Sequence, residues 1–204
     1  MDLDTTQLLA IAAALGWASG LRLYLVVFLT GVAGWLGWVD LPAGLKLLEH
    51  PALLAASGFM CFVEFFADKI PGVDSLWDVV HTLLRIPAGA ALAAAVFGAD
   101  HASWAAAAAL LGGTLAATSH LAKTSTRAAV NTSPEPFSNI GLSLLGDATV
   151  PAALWLSWQH PLLFFAALMG ALVVMGAMIW ACAKFLRALF GRASAWFGSE
   201  AQNV

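Results

Sequence analysis

Charged side chains are scarce in this chain of 204 residues: Asp, Glu, Lys and Arg make up only 10% of it, against roughly 25% in soluble domains. Hydrophobic residues reach 61% and recur in runs along almost the whole length. A single soluble core cannot bury so many apolar runs, which excludes an ordinary soluble domain. We therefore predict an all-α, polytopic transmembrane helix bundle, with residues 1–204 as a single integral membrane domain.

Basic runs are also missing. The nine Lys and Arg residues are scattered, so nothing predicts a nucleic-acid partner. The two cysteines, Cys61 and Cys182, lie in apolar runs without a thiol or His at ligand spacing, and we interpret them as core residues. The first residues carry Asp2 and Asp4 where a secretory signal has Lys or Arg, so 6–18 is interpreted as part of the mature protein.

Apolar segments long enough for membrane helices follow one another closely, since a span takes about 20 residues. Residues 6–38 are interrupted at "GWASG", which favours a short helix at 6–18, a break, and a helix at 21–38. One long tilted helix is the alternative. Further spans are predicted at 51–67, 74–97, 102–122, 140–158 and 161–183. The total is six to seven membrane segments.

Two features organise the rest of the chain. The polar stretch 123–139 is predicted as a loop, with Ser138 or Asn139 capping the next helix. The sequences "HPALLAASGFM" (50–60) and "HPLLFFAALMG" (160–170) open equivalent spans, which raises the possibility of two duplicated halves, 1–98 and 101–190.

The placement of cations predicts the orientation. The turns at 100–101 and 159–160 contain no Lys or Arg. The cations that fall on the opposite side of the predicted bundle are Lys69, Lys123, Arg127, Lys184, Arg187 and Arg192. Because cytoplasmic loops are enriched in Lys and Arg, we predict a cytoplasmic carboxyl terminus.

The few charges that exist are concentrated in "VEFFADKIPGVDSLWDVVHTLLR", residues 63–85. In the helix predicted from Asp74, the spacing i, i+4, i+7, i+11 falls within a sector about 60° wide. Asp74, Asp78, His81 and Arg85 should therefore form one polar stripe.

The preceding span adds two more acids to this stripe. Glu64 and Asp68 are four residues apart and so share a helix face. The turn at Pro71–Gly72 should fold the two helices into a hairpin, so that up to four carboxylates and an imidazole face one another. Since a charge at mid-membrane costs about 2.5–3.5 kcal/mol, the charged side chains should face the bundle interior.

Two interpretations of this cluster remain open. An ion-paired hairpin would only fix helix packing, with Arg85 pairing with Asp78 or His81. Alternatively, a cation or a proton relieves the repulsion between the acids. A divalent cation bound by Glu64, Asp68, Asp78 and His81 is the metal site that these residue types suggest, and it is the only cofactor suggested.

A second polar group lies outside the hairpin. Asp147 is a lone acid within a predicted span, and Arg22, just after the first break, can pair with it or with Glu64. Arg127 lies among several hydroxyl side chains, close to Asn131. Such an arrangement is able to bind a phosphate or an anionic head group.

The chain resembles a family of uncharacterised bacterial integral membrane proteins, domain of unknown function 4126. The resemblance is carried by "VEFFADKIPGVDSLWDVVHTLLR", "TRAAVNTSPEPFSN" and, more weakly, "SGLRLYL". It implies a multi-pass protein of the bacterial inner (plasma) membrane and draws attention to these segments. The resemblance implies no activity.

From the acidic cluster we expect a small secondary transporter or exchanger of a cation, or of a small solute coupled to protons. The alternatives are a membrane-embedded enzyme or binding protein for a phosphorylated lipid, using Arg22, Arg127 and Asn131, and a structural scaffold. An enzyme is less favoured than a non-enzyme, and the serines lack the nearby His–Asp pattern that a serine hydrolase needs. The expected partners are membrane lipids, the transported cation or solute, and a second copy of the chain, since so short a monomer encloses little.

Overall fold

The computed structural model describes residues 3–70, 72–132 and 137–200, with the backbone alone at position 100 and at 190–200. Within these ranges the chain is helical and contains no strand. The α-helices are α1 (Thr5–Trp35), α2 (Pro51–Ala67), α3 (Val73–Ala95), α4 (Ala102–Val130), α5 (Phe137–Gln159) and α6 (Pro161–Glu200). Two short 3-10 helices lie at Ala43–Glu49 and Ala99–His101.

Several of these helices are long and apolar enough to cross a membrane. The four that qualify by length and composition are α1, α4, α5 and the Pro161–Leu189 part of α6. The 3-10 helix Ala43–Glu49 and α2, bent by 70° relative to each other, qualify together as a fifth. The described residues thus give four or five candidate spans by this criterion, against the six to seven predicted.

Helix α3 is not among these candidates, yet its polarity is inverted relative to a helix of a soluble protein. Leu76 and Leu83 are 66% and 81% exposed, whereas Asp74, Asp78 and Arg85 are buried. The predicted polar stripe is therefore confirmed and faces the interior. An apolar exterior around a charged interior is the arrangement expected of a helix that faces lipid.

The first helix is broken at Arg22, where the backbone is extended (φ −148°, ψ 80°). Ser19 Oγ donates to the Leu15 carbonyl at 2.6 Å, a bond that competes with helical hydrogen bonding. Lys123 Nζ donates to the Leu21 carbonyl at 3.0 Å, which satisfies an acceptor at the end of the first arm. The predicted break is thus present, but it lies at Arg22; the "GWASG" stretch itself is helical.

The first arm of α1, residues 5–21, packs tightly against α3 and α4. Gly16 lies directly against Gly112 of α4, and Gly112 in turn lies against Ala93 near the end of α3. A side chain at either glycine would collide with a neighbouring backbone or side chain, so the small residues permit this approach. The arm therefore extends from Arg22 towards the C-terminal end of α3.

The second arm, residues 23–35, runs towards the same end of the bundle. Gly31 lies against the backbone of Leu48, and Gly44, in the same 3-10 helix as Leu48, lies against Ala95. Positions on both sides of the break are thus close to the C-terminal end of α3. Helix α1 forms a V with Arg22 at its apex.

The polar stretch predicted as a loop is largely helical, because α4 continues to Val130. Thr124 and Thr126 donate their hydroxyls to carbonyls one turn back, at 3.1 and 2.8 Å, so these polar side chains fit within the helix. The predicted caps are also corrected: α5 begins at Phe137, which places Ser138 and Asn139 inside its first turn. Residues 133–136 of the predicted loop lie outside the described residues.

Both His-Pro pairs of the predicted repeat open helices. Pro51 is the first residue of α2, and the His50 ring accepts the Ala52 N–H at 3.2 Å. Pro161 begins α6 in the same way. The duplication of halves stays a prediction.

Candidate functional site

Among the described residues, ten ionisable side chains form one connected ionic network inside the bundle. Its acids are Glu64, Asp68, Asp74, Asp78 and Asp147, and its cations are Arg22, Lys69, Arg85, Lys123 and Arg127. Five negative and five positive charges balance. The helices α1 to α5, with the turn after α2, all contribute, so the network joins most of the bundle.

Asp68, in the turn after α2, is one centre of the network. Its carboxylate meets Arg22 Nη1 at 3.1 Å, Lys123 Nζ at 3.0 Å and Arg127 Nη1 at 2.8 Å, and the side chain is fully buried. Burial raises the pKa of Asp68, but Lys123, Arg127 and Arg22 lower it further, so that the pKa lies below its ordinary value. Asp68 is therefore an ionised anchor for three cations.

Asp78 on α3 is the second centre. It meets Arg85 Nη1 at 2.7 Å, Arg127 Nη1 at 3.1 Å and Lys123 Nζ at 3.2 Å. Lys123 and Arg127, one turn apart on α4, thus each contact both Asp68 and Asp78. Of the carboxylates predicted to face one another, Asp68 and Asp78 share the same two cations, which lie within 3.2 Å of each acid.

Glu64 on α2 has a single ionic partner among the described side chains. Arg85 Nη2 donates to its Oε1 at 2.6 Å, and both side chains are fully buried. Glu64 Oε2 and Arg85 Nε have no hydrogen-bond partner among the described residues. Arg85 Nη1 also lies 3.3 Å from His120 Nδ1. The predicted pairing of Arg85 with Asp78 is confirmed. Of the two acids bound to Arg85, Glu64 has fewer hydrogen-bond partners than Asp78.

Arg22, at the apex of α1, connects the network to α5. Its Nη2 lies 2.7 Å from Asp147 Oδ1 and 2.8 Å from Ser143 Oγ. This confirms the pairing with Asp147; Glu64, the alternative partner, is bound by Arg85 instead. Lys69 reaches the same acid at 3.4 Å. The break in α1 is therefore held by ionic contacts.

Asp74 and Asn131 close the network at the start of α3. Asp74 Oδ1 accepts the backbone N–H groups of Gly72 and Ser75, at 2.8 and 2.6 Å, and Asn131 Nδ2 donates to it at 3.1 Å. Asn131 Oδ1 in turn accepts from Asn139 Nδ2 at 2.8 Å. Asn131 thus links the end of α4 to α3 and α5, and its predicted contact with a head group stays a prediction.

The four residues predicted as metal ligands do not converge. His81 stacks on Trp77 at 4.1 Å, and its ring nitrogens lie 2.8 Å from the Trp77 carbonyl and 3.1 Å from the Tyr24 hydroxyl. The carboxylates are bound by guanidinium and ammonium groups. Within the described part of the chain, no three His, Cys, Asp or Glu side chains are arranged to hold a metal ion.

Sequence reasoning missed Lys123 and His120 as members of the site. His120 Nε2 lies 2.7 Å from Thr82 Oγ1, next to its contact with Arg85. Positions 120, 123, 127 and 131 share one face of α4, at the same kind of spacing as the stripe on α3. Residues 114–133 contain no Gly or Pro, which indicates that the helix continues through this stretch. Its part from residue 123 onwards was predicted as a loop because its composition is polar.

A cavity of about 220 Å³ lies beside the network, between α1, α4, α5 and α6. Its ionisable lining consists of Arg22, Asp68, Lys123 and Arg127. Most of the remaining wall is apolar, formed by residues such as Trp17, Leu142, Leu145, Val174, Met175 and Met178. The cavity therefore combines an ionic end with an apolar body.

A second cavity, of about 330 Å³, lies across the network between α3, α4 and α6. Its lining includes Ser75, Asp78, Thr124, Ser125 and Leu186. Arg127 contributes to both cavities while it is paired with Asp68 and Asp78. Arg127 is thus bound to one acid from each lining, Asp68 of the first cavity and Asp78 of the second.

The family described as Domain of unknown function (DUF4126) matches residues 9–182, a range that contains all ten side chains of the ionic network. No curated protein and no solved structure matches the chain. Because the match extends over most of its length, the chain belongs to the DUF4126 family.

Proposed function

We propose that the chain is a small secondary transporter in which the ionic network separates two solute cavities. The observation that carries this proposal is the position of Arg127, which lines both cavities and is bound to Asp68, part of the first lining, and to Asp78, part of the second. Movement of that side chain away from either acid changes the barrier between the cavities. Ionisable residues inside a helical membrane bundle commonly mark such pathways.

The broken first helix supports the same proposal. Transporter sites are often built where a membrane helix is discontinuous, because the interruption frees backbone groups beside the solute. In this chain the break is at Arg22, which lines the first cavity and is bound to Asp68 and Asp147. The break in α1, the first cavity and the ionic network therefore share one residue, Arg22.

Glu64 is the proposed proton carrier. A proton on its unpartnered Oε2 leaves Oε1 able to accept from Arg85, whose charge is also balanced by Asp78. Protonation of Glu64 leaves four charged acids and five cations in the network, so that its net charge becomes +1. Proton binding thus alters the electrostatic balance at the boundary between the cavities.

The proposed surroundings are the membrane lipid and a second copy of the chain, with the network end of the bundle in the cytoplasm. On α6, Leu162, Met169 and Val173 are strongly exposed, which leaves an apolar face for lipid or for a homodimer contact. A binding protein for a phosphorylated lipid is the second candidate, favoured by the cations at the end of the apolar cavity.

Reconstituted protein tests the transporter proposal. Proteoliposomes loaded with a pH-sensitive dye are placed in an inward proton gradient with Na⁺, Mg²⁺, an alkylammonium, an alkyl phosphate or an alkyl sulfonate outside. We expect at least one solute to accelerate proton entry beyond protein-free vesicles. Glu64→Gln should lose the effect, and Glu49→Gln, outside the network, should keep it. No acceleration by any solute, or full activity in Glu64→Gln, contradicts the proposal.

A further inference from the structure

The charge that lines the first cavity is unequal although the whole network is balanced. Three cations line it, Arg22, Lys123 and Arg127, against one acid, Asp68. The acids that balance the others, Asp78 and Asp147 among them, are not part of the lining. An occupant of this cavity therefore meets an excess of positive charge at one end.

One donor at that end takes no part in the ion pairs of the described residues. Arg22 uses Nη1 for Asp68 and Nη2 for Asp147 and Ser143, whereas its Nε donates to none of the described groups. Gly146 lies beside that Nε: a Cβ at position 146 would be 3.8 Å from it, with no closer neighbour. Since Gly146 also lines the cavity, its missing side chain leaves Arg22 Nε open to an occupant.

Size and wall chemistry define the rest of the occupant. At about 220 Å³ the cavity is smaller than the roughly 300–1,000 Å³ typical of sites for drug-sized ligands. Its walls beyond the ionic end are formed mainly by aliphatic and Met side chains from α5 and α6. A short apolar body matches this wall, because it can displace water without losing hydrogen bonds.

We propose that this cavity binds a small organic anion with an apolar body, its anionic group at Arg22 beside Gly146. This inference rests on the proposed transport function and names its solute class. Protonation of Glu64 gives the network a net positive charge, so proton and anion binding favour each other and move together. The same chemistry occurs in a soluble organic anion and in the head group of a single-chain lipid.

Binding is tested on purified protein in phosphatidylcholine nanodiscs by calorimetric titration with hexanesulfonate, which stays ionised at every working pH. Hexyltrimethylammonium, with the same apolar chain and opposite charge, is the matched probe. We expect hexanesulfonate to bind and the ammonium not to bind. Equal binding of the two probes, or no binding of hexanesulfonate, overturns the proposal.

A pair of glycine variants locates the site without altering the network. Gly146→Leu fills the space over Arg22 and should weaken hexanesulfonate binding at least tenfold, about 1.4 kcal/mol. Gly141→Leu, also on α5 but facing open space, should bind as the wild type does. Unchanged binding in Gly146→Leu overturns the assignment; the melting temperature of each variant verifies that it is folded.

Two further experiments are needed. The first distinguishes a lipid head group from a soluble anion as the ligand, and the second distinguishes failure of this site from failure of the transport proposal. Nanodiscs that contain lysophosphatidate compete with hexanesulfonate if a lipid head group is the natural ligand; lack of competition assigns a soluble anion. Binding of hexanesulfonate without its uptake into proteoliposomes, together with no acceleration of proton entry by any of the solutes tested above, retains this site and overturns the transporter. Proton-coupled movement of another solute without hexanesulfonate binding overturns this site alone.

Discussion

Glu64 and Arg85 form a fully buried ion pair, with Arg85 Nη2 donating to Glu64 Oε1 at 2.6 Å. Glu64 has no other ionic partner in the part of the chain that the structure describes, whereas Arg85 is also bound to Asp78. This asymmetry has an energetic consequence. Removal of Arg85 leaves the buried charge of Glu64 without an ionic partner. Removal of the Glu64 charge leaves Arg85 paired with Asp78.

Arg85→Gln should therefore destabilise the protein more than Glu64→Gln does. Breaking a buried ion pair by removing one partner typically costs about 3–5 kcal/mol. The double variant Glu64→Gln/Arg85→Gln should recover part of the loss, because the stranded carboxylate is gone. Thermal melts of the detergent-purified proteins measure the three variants. A double variant less stable than Arg85→Gln alone contradicts the asymmetry.

Asp68→Asn should lower the melting temperature more than Asp147→Asn. Asp68 is fully buried and meets three cations, whereas Asp147 meets two and its side chain is 22% exposed. Because the folded-state pKa of Asp68 is lowered, its stabilising effect is complete above the unfolded pKa of about 3.9. The effect is lost as the pH falls through the folded value. Melts of both variants and of the wild type at pH 7 therefore measure the full contribution of Asp68; equal losses in the two variants would argue against Asp68 as a centre.

The V shape of α1 predicts a specific cross-link. Phe28, on the second arm, lies against Gly58 of α2. In a chain whose two native cysteines are replaced by alanine, Phe28→Cys/Gly58→Cys should react with a short bifunctional thiol reagent. Phe28→Cys/Thr132→Cys, which places the thiols towards opposite ends of the bundle, serves as the negative control. A product from the control pair and not from the first pair contradicts the folded-back arm.

The proposed orientation predicts accessibility from outside the cell. His101, before α4, and Thr132, after it, are both exposed and lie at opposite ends of the helix. In the same cysteine-free background, His101→Cys should react with an impermeant thiol reagent in intact cells, and Thr132→Cys only after permeabilisation. The reverse labelling pattern inverts the orientation.

The cations used to predict orientation have a different role in the structure. Lys69, Lys123 and Arg127 belong to the ionic network, and only Lys184 and Arg187 remain as cations on the last helix among the described side chains. Arg192 lies outside that description. The labelling experiment therefore tests an orientation that now rests on fewer loop cations.

Local patterns were sufficient for several parts of this protein. Helix periodicity predicted that Asp74, Asp78, His81 and Arg85 share a face, and the cost of charge in lipid predicted that the face is internal; both are confirmed. Hydrophobic composition predicted the long apolar helices. These features depend on residues close together in the chain.

The partners of each charge depended on the tertiary structure. A carboxylate on α3 can pair with any cation that helix crossing brings within 4 Å, and sequence spacing does not encode that crossing. The fold placed Lys123 and Arg127 of α4 between Asp68 and Asp78, bound Glu64 to Arg85, and turned α1 back at Arg22. Periodicity within one helix determined which side chains face inward, whereas the packing of five helices decided that those acids meet cations.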